Sequence, residues 1–336
     1  MNLYILIFKE RLDLKTTHYL KILFSMFTVI GIFSMGYVVY FSMHYPLPVS
    51  NYISLDAKIK FIRENIDVDK VDTLIVGSSL GLNNINGEVL DKTSIKASSV
   101  LNISVYGSAA LEVEMLLELT DAFPNLKRII YSAQYSDFPH EWYYENYDSE
   151  MLIKYMRDEL NPIEHFLVMF RACNNLFFCF KRQSEWRNNH MMKNKFTYLG
   201  FDSTGSVPLH IYGEDIIGHR WRGAQPNIQN PKSFEAVDRM SKRAQKKGIK
   251  FYLIQGPYRG PLVEKHQFVR DALTHFAKRN AAIMKKNDGA FLSLHTLLHL
   301  DDKYFADRTH LNDLGSMVAA KAVGKFIDKT ENIQGK

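Results

Sequence analysis

An α/β protein with a parallel sheet covered by helices on both faces, carried behind one apolar N-terminal helix, is the architecture this sequence predicts. Three observations predict it. Short apolar, strand-like runs alternate with longer helical patterns from residue 71 to near the C-terminus. The first run ends in Gly77-Ser78-Ser79, a turn at a strand end, where open parallel sheets present their ligands. Between Lys21 and Asp56 there is no Asp, Glu, Lys or Arg.

The apolar helix comes first. Its core, residues 22–43, is rich in Leu, Ile, Val, Phe and Met. At about 1.5 Å per residue it reaches roughly 33 Å, the thickness of a bilayer's hydrocarbon layer. Tyr37, Tyr40 and Tyr45 cluster at the far end as an interfacial belt, and Pro46 and Pro48 stop the helix. Lys9, Arg11, Lys15 and Lys21 outweigh Glu10 and Asp13 on the near side. The positive-inside rule therefore predicts residues 1–21 in the cytosol and everything after about residue 44 outside. A cleaved signal peptide is the competing reading. The run is long for that and no small-x-small site follows it, so an uncleaved single-pass anchor is expected, with membrane lipid as a partner.

Residues 44–70 read as a tether that turns helical near 59–66. Strands are then expected at 73–76, 100–105, 126–131, 249–254 and 290–294, and helices at 111–123, 233–247, 268–286 and 314–327. Residues 138–232 break the rhythm. They are rich in aromatics and His, and read as a helical insertion followed by a loop, 211–230, that covers a site. A folded domain over 71–330 with that insertion is the expected organisation.

The chain has 336 residues, 46% apolar and 23% charged, with net charge +6. That balance excludes a disordered chain and permits an anionic partner such as a glycan, a teichoic acid or a lipid headgroup. Without a clustered basic face it predicts no nucleic-acid partner. Cys173 and Cys179 are the only cysteines. They read as two small apolar residues on a buried element, with a disulfide as the alternative. His295 and His299 are four apart, but no His-Glu-x-x-His pattern surrounds them, so no metal site and no cofactor are expected.

Two short segments carry chemistry. Ser79 follows a strand and a glycine, which projects a hydroxyl. His310 follows Asp307 by three residues in a loop before the last helix. A serine hydroxyl needs a base to take its proton, the base needs a carboxylate to hold its tautomer, and an oxyanion needs donors. Ser78 is the alternative nucleophile, and a helix N-cap is the plain structural role for Ser79.

These blocks resemble the SGNH (GDSL-like) hydrolase and acyltransferase superfamily, named for blocks carrying Ser, Gly, Asn and His. Gly77-Ser78-Ser79 is similar to the first block, with Ser78 where many members have Asp. Asn102-Ile103-Ser104-Val105-Tyr106-Gly107 resembles the second, whose Gly supplies an oxyanion-hole amide. Asp307-Arg308-Thr309-His310-Leu311-Asn312 resembles the last. The third block departs: Ser132-Ala133-Gln134-Tyr135 stands for the usual Gly-x-Asn-Asp, leaving Gln134 as the side chain to donate. The resemblance covers about 71–135 and 249–328 and implies a flavodoxin-like three-layer α/β/α fold. The Gly-Ser-Ser block and single anchor resemble the membrane-anchored subgroup that acylates cell-surface polymers, similar to the teichoic-acid D-alanyl transfer protein and the alginate O-acetylation proteins.

The expectation is thus a serine acyltransferase on a bacterial inner or plasma membrane, its catalytic domain periplasmic or extracellular. It moves a short acyl group, acetyl by expectation, to a hydroxyl of an extracytosolic glycan or cell-envelope polymer. Ser79, His310 and Asp307 are the catalytic residues, and Gly107 and Gln134 serve the oxyanion. Arg220, Trp221, Arg222 and Arg259 are substrate-binding candidates, against a solvated basic surface. Trp142 and Trp186 read as sugar platforms or as the insertion's own core, and Asp137 and His140 as pocket lining or loop polarity. A multispanning membrane-bound O-acyltransferase is the partner the resemblance implies. An anchored esterase and a non-catalytic glycan-binding subunit are the alternatives.

Overall fold

The computed structural model describes residues 2–50, 52–139, 144 and 147–334. Helix α1 (Asn2–His44) is continuous, and its segment Thr16–His44 is long and apolar enough to cross a membrane. Most of that segment is exposed, but Val38 and Phe41 near its end are buried in the domain core. The chain continues through buried Tyr45, Leu47 and Val49 into α2 (Ile53–Asn65). Residues 44–70 are therefore not a tether. Leu55, Ile59 and Ile62 fall on one helical face and bury it in the domain core, which a solvated linker has no means to do.

Strand β1 (Thr73–Gly77) turns through Gly77-Ser78 into α3 (Ser79–Asn84), followed by α4 (Gly87–Thr93), β2 (Val100–Asn102), α5 (Ala110–Leu116) and β3 (Arg128–Ala133). The insertion supplies α6 (Ser149–Met156), α7 (Pro162–Ala172), α8 (Leu176–Met191) and the short α9 (Gly218–Arg222). Helix α10 (Pro231–Lys246), β4 (Lys250–Gln255), α11 (Gly260–Lys265), α12 (Gln267–Lys286), β5 (Ala290–Ser293), α13 (Leu294–Leu297) and α14 (Asp313–Gln334) follow.

All five strands are parallel, in the order β2-β1-β3-β4-β5. That is the flavodoxin-like order, with its ligand crevice beyond the C-terminal strand ends. Side chains alternate along each strand between two cores. Leu74, Val76, Ile129, Tyr131, Phe251 and Leu253 join one core with α2, α5, α10 and α12. Ile75, Ile130, Tyr252 and Ile254 join the other with α4 and α14. The result is a three-layer α/β/α domain.

Strand β2 is shorter than 100–105 because Asn102 turns its side chain onto the Ser104 amide (3.0 Å). The segment beyond still follows β1, donating from Ile103 to Ile75 O (2.8 Å) and from Val105 to Gly77 O (3.1 Å). Helix 111–123 gives way to a 3₁₀ turn at Leu117–Ala122.

Cys173 and Cys179 form a disulfide with Cα atoms 5.7 Å apart, correcting the reduced reading. Both face the same buried seam between α7 and α8, and the tight connection brings them within bridging range.

Gly77 is a position where the backbone itself requires glycine. Its φ is +154°, and a Cβ there meets the Ser132 carbonyl oxygen at 2.4 Å. Gly77→Ala is expected to destabilise the domain by about 2 kcal/mol or more, because the obstruction is central sheet backbone. A lowered thermal midpoint checks this.

Candidate active site

The sequence places Ser79 at the first position of α3, one residue past the turn that ends β1. Ser78 caps the helix, its Oγ accepting the Leu80 amide at 3.1 Å. The two serines thus divide the roles: Ser78 is buried and holds the helix start, while Ser79 is half-buried and leaves its hydroxyl free to point outward. Ser78 is not positioned as the nucleophile.

Across the crevice, residues 305–311 form a tight loop. Ala306 donates to His310 O (2.8 Å), closing it. Asp307 Oδ1 accepts the amides of Thr309 (2.8 Å) and His310 (2.7 Å), which leaves Oδ2 for the ring. His310 Nδ1 lies 2.8 Å from that Oδ2, and His310 Nε2 lies 2.8 Å from Ser79 Oγ. A carboxylate only accepts, so Nδ1 carries the proton and Nε2 is the basic nitrogen facing the serine. Burial alone pushes the Asp307 carboxyl up. The His310 ring and the two amides outweigh it and hold the group at about 2. The carboxylate is therefore charged at any physiological pH and supports an imidazolium when the ring takes a proton.

Two backbone donors have no partner among the described residues. The Ser79 amide is an unpaired first-turn N–H of α3 and has no partner among the described residues. Gly107 lies at φ +77° in the loop that β1 guides upward, and its amide also has no partner among them. A side chain would be strained at that φ, so glycine keeps the loop in its turn. Gln134 is different. Its Nε2 donates to Gly256 O (2.7 Å) and its Oε1 accepts the Tyr135 amide (2.9 Å). The fully buried side chain caps the turn after β3, so it is not aimed at an oxyanion, and its role as donor is corrected.

Asp137 sits in that same turn, accepting the Gln134 amide at 2.9 Å. Burial pushes its carboxyl up to about 6, against the pull of the Gln134 amide, the Ser78 hydroxyl and the His310 charge. It is thus a second carboxyl group near the relay. His140 and Trp142 lie outside the described residues.

The insertion closes over the site. Leu209 pairs with Asn312 in a parallel bridge, Tyr135 Oη donates to Gln225 O (3.1 Å), and Asn230 donates to Phe138 O (2.6 Å). The Phe196 ring meets His310 edge-on at 5.9 Å, and the Arg220 guanidinium covers that ring at 4.1 Å. Arg222 is exposed. Neither arginine has a carboxylate partner among the described residues. Arg259 is spent elsewhere. It forms a two-pronged pair with Asp302 (2.8 and 2.6 Å), donates to Trp221 O (3.0 Å) and stacks on the Trp221 ring at 4.0 Å. Arg259 and Trp221 are therefore a fastening for α9 rather than substrate contacts. Trp186 packs half-buried against the domain core and stacks on His190, so it is no sugar platform.

The sequence matches no family model and no curated protein. Solved structures resemble the chain at low similarity. A protein of Desulfitobacterium hafniense assigned to the lipolytic G-D-S-L family is 12% identical, with a TM-score of 0.39 over 76% of this chain and 99% of that one. A GDSL-like lipase of Bacteroides thetaiotaomicron is 13% identical, with a TM-score of 0.37 over 82% and 98%. A carbohydrate acetylesterase family member of Sinorhizobium meliloti is 10% identical, with a TM-score of 0.34 over 78% and 98%. At these values no reaction or substrate passes from those proteins to this chain.

Three further residues shape the site. Asn84, in the last turn of the helix that Ser79 begins, donates to Thr309 O (2.8 Å) and accepts the Leu311 amide (2.8 Å). One buried side chain thus ties the serine helix to the histidine loop. Phe196 packs the outer edge of the His310 ring. Arg308, between the two relay residues, has its Nε buried without a hydrogen-bond partner, and its Nη1 lies near Gly223 at the end of α9. Only Arg308 carried a sequence signal, a fixed charge inside the Asp-x-x-His block. Asn84 and Phe196 act through tertiary contacts that spacing does not reveal.

Proposed function

We propose that this chain is a membrane-anchored serine acyltransferase that moves a short acyl group, acetyl by expectation, onto a hydroxyl of an anionic extracytosolic glycan. The single observation that carries the reading is the continuous Ser79–His310–Asp307 hydrogen-bond chain.

In the first half-reaction His310 Nε2 takes the Ser79 proton as Oγ attacks the ester carbonyl of the donor. The Ser79 and Gly107 amides receive the oxyanion. The bond to the leaving alcohol breaks, and His310 returns its proton to that alcohol. In the second, a sugar hydroxyl gives its proton to His310 and attacks the acyl-Ser79 ester, and Ser79 Oγ leaves with the proton back.

Support for the anchor comes from the junction. Val38, Phe41 and Tyr45 are packed into the domain core, so removing α1 by cleavage strips core side chains from the folded domain. The Cys173–Cys179 disulfide fits an oxidising, extracytosolic compartment. A domain on that side has no access to cytosolic acyl donors, which favours a multispanning O-acyltransferase as the supplier of acyl groups. The support for an anionic acceptor is electrostatic. Arg220 and Arg308 near the site, and the exposed Arg222, have no carboxylate partner among the described residues, while Arg259 is fully paired.

Arg308→Gln is accordingly expected to raise KM for a carboxylate- or phosphate-bearing acceptor about tenfold or more, the size of one lost charge-assisted hydrogen bond. Added salt should narrow the gap between wild type and variant. An unchanged KM for the anionic acceptor, compared at low salt, refutes the acceptor class.

One observation favours the second reading, an anchored esterase. The His310 side chain is 18% exposed, so water reaches the acyl-serine as readily as a small alcohol does. Incubating the full chain with an acetyl ester and an anionic oligosaccharide separates the two. Acetylated sugar that requires Ser79 supports transfer, whereas free acetate alone at saturating acceptor supports hydrolysis.

A further inference from the structure

The α7–α8 hairpin is apolar where it has no protein to cover it. Ile163, Phe166 and Phe170 on α7 and Phe177 and Phe180 on α8 are exposed, Phe177 by 78% and Ile163 by 73%. The inner face of the same hairpin is a normal core seam, with Met169, Cys173 and Cys179 buried. A soluble monomer rarely leaves such a cluster of aromatic and aliphatic side chains bare.

The hairpin's position says what covers it. Phe180 stacks on Tyr37 of α1 with ring centroids 4.3 Å apart. Tyr37 Oη donates to Gln183 Oε1 (3.0 Å), and Gln183 Nε2 donates to Tyr45 Oη (2.9 Å). Arg187 Nη2 also reaches Tyr45 Oη (2.6 Å). Tyr37 lies seven residues before the end of α1 at His44, which at 1.5 Å per residue is about 10 Å along the helix. The hairpin therefore does not stand clear of the span. It runs back alongside the last two turns of the segment that crosses the membrane. Residues 162–195 also carry six Lys or Arg against two Glu, a balance suited to phosphate headgroups.

We infer that the α7–α8 hairpin is a membrane-interface module, its phenylalanine and isoleucine face seated in the outer-leaflet phospholipid beside α1. The inference rests on the reading of α1 as a membrane anchor. With α1 it gives the domain a second point of attachment, so the catalytic crevice is held at one height and orientation above the bilayer instead of swinging on a single helix. The occupant is lipid because the apolar face is continuous with the lipid-facing surface of α1, where Phe24, Phe27 and Phe33 are equally bare.

The test is photolabelling of the full chain in liposomes of phosphatidylethanolamine and phosphatidylglycerol that contain a phospholipid with a diazirine near the top of its acyl chain. Labelled peptides are then mapped by mass spectrometry. The expected result is label in α1 and in residues 162–180, the latter about tenfold or more above the water-facing α12 peptide. Label in α1 with residues 162–180 at the α12 level overturns the interface module and leaves the anchor standing. Absence of label from α1 overturns both.

Discussion

Replacing Ser79 with alanine is expected to abolish acyl turnover, with a loss in kcat on the order of 10⁶ where the base reaction is measurable, because no other group can form the acyl ester. The hydroxyl's hydrogen-bond partner in the structure is His310 Nε2, and alanine is well tolerated in the first turn of a helix. The variant should therefore keep its thermal midpoint. The check is p-nitrophenyl acetate hydrolysis alongside thermal unfolding of the same preparation. Turnover within tenfold of wild type in a folded Ser79→Ala chain would discard the serine mechanism.

The second large effect belongs to Asp307→Asn. The amide keeps the shape of the carboxylate, but Nδ2 donates where Oδ2 accepted. The ring must then present an unprotonated Nδ1 to it, which puts the proton on Nε2 and leaves no base facing Ser79. A loss of about 10⁴ in kcat is expected, as for the equivalent change in other triads. The pH behaviour follows from the same carboxylate. Its pKa in the fold, about 2, lies below the ordinary value of 3.8. The stability it contributes is therefore complete above about pH 4 and is lost as pH falls toward about 2. Asp307→Asn should flatten acid unfolding in that window while leaving the alkaline side unchanged. Retention of full activity by the asparagine variant would show that the ring is not oriented by this contact.

How much of this was legible in the sequence depends on whether the information is local. The strand runs and the Gly77-Ser78-Ser79 turn are local, since a buried parallel strand must be apolar throughout and a glycine must end it where φ turns positive. The spacing of Asp307 and His310 is local too, because a three-residue loop is enough to bring carboxylate and ring together. Gln134 and Arg259 misled for the opposite reason. Each has the right chemistry at the right strand end, but its hydrogen bonds go to Gly256 and Asp302, partners that only the assembled fold supplies. The stretch 44–70 looked like a linker because Pro46, Pro48 and eight charged residues hid the apolar helical face of Leu55, Ile59 and Ile62. The disulfide stayed the alternative reading because two cysteines six residues apart can sit on one buried helix or across a tight turn, and composition does not choose between them.

The arginines show a finer version of the same limit. Sequence ranks Arg220, Arg222 and Arg259 equally as basic substrate-binding candidates. The structure separates them by their partners and adds Arg308, whose buried Nε has none. Charge without a counter-charge, next to a nucleophile, is information that exists only in three dimensions.

The central claim is that His310 activates Ser79. Its most direct measurement is labelling of the full chain with a fluorophosphonate, which bonds only to a serine whose proton is being taken. The account predicts one adduct, on Ser79, in the wild-type protein and none in His310→Ala. An adduct on Ser78, no adduct at all, or an undiminished adduct in His310→Ala would contradict it.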